Sequence, residues 1–125
     1  MSPGPRNLAI PILISAALFL WIAGPAIGHA VLLESSPALK GSVTGPDVPL
    51  KLRFNVRIDI ARSRLTLFHP DGSSQALETD KQAPPDTLSA LASGLAPGEY
   101  RLRWQVLAAD GHITRGEIPF TVIAS

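Results

Sequence analysis

The chain has 125 residues, 46% of them hydrophobic and 17% charged, a balance that excludes disorder for the chain as a whole and suits one ordinary domain. Eleven Lys and Arg stand against ten Asp and Glu for a net charge of +1, with no basic run, so no nucleic-acid partner is expected. Cysteine is absent and the single methionine is Met1, which removes disulfides, thiolate metal sites and cysteine nucleophiles together.

The first element is apolar. From Leu8 to Gly28 the sequence LAIPILISAALFLWIAGPAIG carries no charge over 21 residues, and Arg6 lies just before it. A positive start, an apolar stretch and small residues ahead of a cut make up a secretory signal. A run of this length would also reach across a bilayer as a retained anchor. Pro11, Gly24 and Pro25 interrupt it and no basic cluster follows, so residues 1–28 are expected to be a cleaved signal peptide. Residues 29–125 then form an exported domain with no membrane insertion, electrically neutral once Arg6 is gone. Ala26 and Gly28 satisfy the small-residue rule for a cut before His29. Gly28 and Ala30 satisfy it equally for a cut before Val31, which would discard that histidine.

After the leader the dominant signal is alternation of two, with turn residues between short runs. A first run covers Ala30 to Leu33. Leu50, Leu52 and Phe54 alternate with Lys51 and Arg53, the mark of a half-buried strand. Leu65 and Leu67 repeat the pattern ahead of His69-Pro70-Asp71-Gly72, which is strong turn chemistry and places His69 on an exposed turn. Gln75 to Thr79 and Thr87 to Ala92 are weaker candidates, divided by Pro84-Pro85. After the turn at Ala96-Pro97-Gly98 comes the clearest strand: Tyr100, Leu102, Trp104 and Val106 share one face, Arg101, Arg103 and Gln105 the other. Tyr100 and Trp104 are expected in the core, and Arg101 and Arg103 on a solvated face. Ile118, Phe120 and Val122 form the last set, with Pro119 between them suggesting an edge. About seven strands at this spacing predict an all-β domain, an antiparallel β-sandwich.

The side chains able to coordinate a metal centre on three histidines, His29, His69 and His112. The tightest grouping is Asp110-Gly111-His112. Residues two apart on an extended strand point to the same side, so Asp110 and His112 can reach one ion, and Gly111 lets the backbone turn between them without a clash. The same tripeptide also reads as a polar turn in which Asp110 bonds its own backbone and His112 faces solvent. In a chain cut before His29, the α-amine and ring nitrogen of that histidine would close a chelate. With His112 and Asp110 the set becomes three nitrogens and one oxygen, an environment suited to Cu(II), which stands at the top of the divalent affinity series. A mature chain without Cys or Met offers no soft ligand to Cu(I). Taken by itself, His29 reads as no more than a leader-junction residue.

Longer stretches supply the context. His29-Ala30, then Leu33-Glu34-Ser35-Ser36-Pro37-Ala38, then Leu50-Lys51-Leu52-Arg53-Phe54 resemble the opening of the CopC family of periplasmic copper-binding proteins. The stretch GEYRLRWQVLAADGHITRGEIPFTV from Gly98 to Val122 is more specific: its Gly-x-Tyr-x-x-x-Trp, Ala-Asp-Gly-His and Gly-x-x-x-Phe-x-Val elements fall in the family's order. The resemblance implies an Ig-like Greek-key β-sandwich in the periplasm, acting in copper resistance, homeostasis or delivery. It also implies one Cu(II) per chain, held by His29, Asp110 and His112, and it favours the cut before His29. The partner it implies is an inner-membrane copper transporter of the CopD type or a cuproprotein assembly factor.

The chain departs from that pattern in two places. The middle region, where some members carry Met- and His-rich sequence for Cu(I), has no Met, so no second copper site is expected. Where many members have Phe-Ser-Glu, this chain has Phe54-Asn55-Val56, and Glu34 is a weak candidate for the missing carboxylate. A metal carrier is therefore the expected class, and no catalytic residues are assigned. The alternatives are a metal-free sandwich that binds another protein through a sheet edge and, least expected, a copper oxidative enzyme built on an N-terminal histidine. A 97-residue domain whose only Trp is Trp104 offers little surface for a polymer substrate.

Overall fold

The computed structural model describes residues 29–125, and the signal peptide assigned to residues 1–28 lies outside them. Eight strands follow one another: β1 (Leu32–Ser36), β2 (Gly41–Thr44), β3 (Val48–Phe54), β4 (Arg64–Phe68), β5 (Ser74–Leu77), β6 (Thr87–Ala92), β7 (Gly98–Leu107) and β8 (Ile113–Ile123). They form two sheets, β1-β3-β6 and β2-β8-β7-β4-β5. The domain is the all-β sandwich that the alternation predicted, Ig-like as the resemblance implied. No helix among the described residues is long and apolar enough to cross a membrane.

The period-two reading holds residue by residue where it was clearest. On β7, Tyr100, Leu102, Trp104 and Val106 are buried while Glu99, Arg101 and Arg103 are exposed. They meet Leu50, Leu52 and Phe54 of β3, Leu65 and Leu67 of β4, and Ile118, Phe120 and Val122 of β8 in one core. Trp104 sets its indole edge-to-face against Phe54, with ring centroids 5.2 Å apart. Gly116, its cross-strand neighbour, is required: a Cβ there would run into the indole ring.

Two features differ from the sequence expectation, an additional strand and its parallel pairing. The eighth strand, β2, has the unpromising sequence GSVT and exists because it pairs with β8, in parallel, while the other strand pairs are antiparallel. Its entry is pinned by Lys40, whose N–H donates to the Pro119 carbonyl at 2.6 Å. Pro119, with no N–H of its own, stands where β2 begins and so marks the end of the covered part of β8. The outer face of β7 is solvent-exposed as expected, and its charges are organised around an aromatic ring. The guanidinium groups of Arg101 and Arg103 lie 4.6 and 4.7 Å from the centroid of the Phe68 ring, and Glu117 bridges them at 2.8 and 3.2 Å.

Candidate metal centre

Two segments meet at one end of the sandwich, the arm leading into β1 and the turn joining β7 to β8. The turn is the polar turn foreseen from Asp110-Gly111-His112. Gly111 donates to the Ala108 carbonyl at 2.9 Å and adopts a φ of 94°, which favours glycine. Ala108 in turn donates to the His112 carbonyl at 2.8 Å. Asp110 binds its own turn: Oδ1 accepts the His112 N–H at 3.1 Å and Oδ2 lies 2.9 Å from His112 Nδ1. The turn reading and the metal reading are thus not rivals, because the turn is what presents the imidazole.

The arm is tied down close to His29. Ala30 is only 2% exposed, and the backbone N–H of Val31 donates to Asn55 Oδ1 at 2.6 Å. Ala30 and Leu32 turn inward while Val31 and Leu33 stay exposed, and a register shift between Leu32 and Glu34 gives β1 one extra residue, which leaves Leu33 and Glu34 both on the outside. His29 and His112 are both exposed. Their rings meet edge-to-face with centroids 4.9 Å apart.

The electrostatics favour a cation. The Asp110 carboxyl is held below its ordinary value, foremost by the backbone N–H of His112 and then by the hydrogen bond to the His112 side chain. A neutral His112 that donates Nδ1–H to this carboxylate keeps its Nε2 lone pair for a metal, and the carboxylate orients the ring. Both oxygens of Asp110 are engaged on His112; as a direct ligand it would release one, and as an orienting group it keeps both. Among the described residues no three His, Asp or Glu side chains converge closely enough to enclose an ion unaided. The two imidazoles and the carboxylate near one another at this exposed edge are of donor types, nitrogen and oxygen, that suit Cu(II). A further donor, the role assigned to the α-amine of a chain starting at His29, would complete the set.

The other residues singled out from the sequence lie elsewhere. Glu34 pairs with Arg53 at 3.0 Å, which holds its carboxyl below the ordinary value. His69 is half-buried rather than exposed. Its ring packs edge-to-face on Tyr100, centroids 5.4 Å apart, and Nε2 lies 3.0 Å from Gln75 Oε1. Asn55 was noted in the sequence only as a departure from a pattern. Its bond to the arm could have been suspected only by knowing that β1 and β3 are neighbours.

A family model described as the CopC domain matches residues 32–123. The chain belongs to the CopC family. The crystal structure of CopC from Methylosinus trichosporium OB3b is 32% identical, with a TM-score of 0.69 over 77% of this chain and 95% of that one. PcoC from Escherichia coli, a methionine-rich copper resistance protein, is 25% identical with a TM-score of 0.61, over 76% of this chain and 99% of that one. Copper resistance protein C of Xanthomonas campestris pv. juglandis is 27% identical over 125 residues, 94% of this chain and 96% of its own.

Proposed function

We propose that this chain is a periplasmic copper-binding protein of resistance, homeostasis or delivery, which carries one Cu(II) and catalyses no reaction. The mature chain begins at His29. Its amine and imidazole, the imidazole of His112 and the carboxylate of Asp110 hold the ion, which is cargo and passes to an inner-membrane copper transporter of the CopD type or a cuproprotein assembly factor. The observation that carries this reading is the meeting of His29 and His112, 4.9 Å between ring centroids, with Asp110 against the second ring. The names of the copper resistance relatives support the metal. Absence of Met and Cys from residues 29–125 supports Cu(II) over Cu(I).

The test has two parts. Intact-mass measurement on exported protein should give residues 29–125, and a start at Val31 or a retained leader would remove the chelating amine. Titration of that protein under oxidising and reducing conditions should show one tight Cu(II) and no tight Cu(I). Two tight Cu(II) ions, or tight Cu(I), would overturn the ligand set.

A further inference from the structure

The five residues that follow β3, Asn55 to Asp59, are bonded to both ligand-bearing segments. On one side, Asn55 N–H donates to the Val31 carbonyl at 3.0 Å and Asn55 Oδ1 accepts Val31 N–H at 2.6 Å. On the other, Ala109 N–H donates to the Arg57 carbonyl at 3.1 Å, Asp59 N–H donates to Leu107 at 2.9 Å, and Ile58 forms a bridge with Ala108. This segment therefore gauges the gap between the arm that carries His29 and the turn that carries His112. Almost every link in it is backbone, and the exception is the Asn55 side chain.

We infer that Asn55 is a positioning residue for the metal centre, one that fixes the arm so that His29 meets His112 before any ion arrives. The inference rests on the metal reading above. In a regular antiparallel pair, Val31 N–H would bond the Asn55 backbone carbonyl. The chain bends away at Asn55, and the side-chain carbonyl takes that acceptor's place. Only Ala30 separates the held residue from His29, and Ala30 is buried, so the freedom of His29 is limited to its own dihedrals and ring. Without the side-chain acceptor the arm would fray, as chain termini do unless tied down, and the metal would have to order it.

The experiment compares mature wild-type protein with Asn55→Leu, which keeps the size and loses the acceptor, and Asn55→Asp, which restores an acceptor. Asn55 is exposed, so thermal unfolding should show all three folded. In the apo protein, Val31 N–H should exchange about tenfold faster in Asn55→Leu than in wild type, as expected for local opening. Cu(II) affinity, measured by chelator competition, should fall roughly 10–100-fold, the range for loss of a group that orients a ligand, with a broadened Cu(II) EPR spectrum. Asn55→Asp should restore both the exchange rate and a single sharp EPR species. Equal Cu(II) affinity and equal EPR spectra for wild type and Asn55→Leu would overturn the inference. If Asn55→Leu does not fold, Asn55→Asp decides alone: Val31 exchange as slow as in wild type supports the clamp, and faster exchange overturns it. If wild type binds no Cu(II), the metal reading fails instead, and unchanged Val31 exchange in Asn55→Leu would still overturn the clamp.

Discussion

Two turns of this protein combine a histidine with Asp and Gly, and they differ in what the fold brings to them. In His69-Pro70-Asp71-Gly72, Asp71 Oδ1 accepts the backbone N–H of Ser73 at 2.9 Å. In Asp110-Gly111-His112, Asp110 Oδ1 accepts the backbone N–H of His112 at 3.1 Å. Each carboxylate bonds two residues ahead, and each turn carries a glycine at positive φ, 90° at Gly72 and 94° at Gly111. Locally the two are one device. The imidazole of His69 is taken up by Tyr100 and Gln75, whereas that of His112 faces a second imidazole. A histidine in a polar turn is therefore neither structural nor functional by its motif; the third partner decides.

The largest effect should leave that contrast untouched. Trp104→Ala removes the indole packed on Phe54 and over Gly116, and should destabilise the apo fold by roughly 3–5 kcal/mol. Denaturant titration measures this, and the Cu(II) affinity of the molecules still folded should be unchanged. Next comes His112→Ala, or one residue added ahead of His29. Either should weaken Cu(II) binding by about 100-fold or more, since loss of an orienting partner alone costs about 10–100-fold. Apo stability should stay within about 0.5 kcal/mol, because both histidines are exposed.

Asp110→Ala should fall below these, about 10–100-fold in affinity. It removes the carboxylate that orients His112 and leaves both imidazoles. Chelator competition on the same series ranks the three. The counterpart, His69→Ala, should leave Cu(II) affinity as it was and lower apo stability by about 1 kcal/mol, because a half-buried ring loses Tyr100 and Gln75. Loss of copper binding in His69→Ala would reverse the assignment of the two turns.

The smallest effect is shared by both turns. The Asp71 carboxyl is lowered by the Ser73 hydroxyl and backbone N–H, and the Asp110 carboxyl by the His112 backbone N–H and ring. Glu117 is lowered in the same sense by Arg101 and then Arg103. A carboxylate depressed in the folded state stabilises the fold fully above its unfolded value, near pH 4, and that contribution is lost as pH falls through the lower folded value. Apo stability should thus be flat from neutral pH to about 5 and decline modestly below 4, as followed by Trp104 fluorescence in denaturant.

How much of this was legible depended on the range of each interaction. The alternation of Tyr100, Leu102, Trp104 and Val106 is written in consecutive residues, and it gave β7 and its buried face correctly. The turn at Asp110-Gly111-His112 is equally local, whereas His29 lies 81 positions before Asp110 along the chain. Strand β2 lies outside the expected set because it is four residues long, opens on Gly41-Ser42 and is held by β8, far along the chain. His69 was judged exposed because nothing in HPDG announces that Tyr100, 31 positions later, will cover its ring.

The sequence by itself determined the period-two strands, the polar turns and the restriction of metal donors to nitrogen and oxygen, since these follow from neighbouring residues and from the absence of Cys and Met after Met1. Tertiary structure alone decided that His29 meets His112 rather than His69, that Asn55 holds the arm, and that Glu34 belongs to Arg53. Those outcomes depend on which strands lie side by side and in which register. A one-residue shift in register turns a side chain to the opposite face, so no count along the chain could have fixed them.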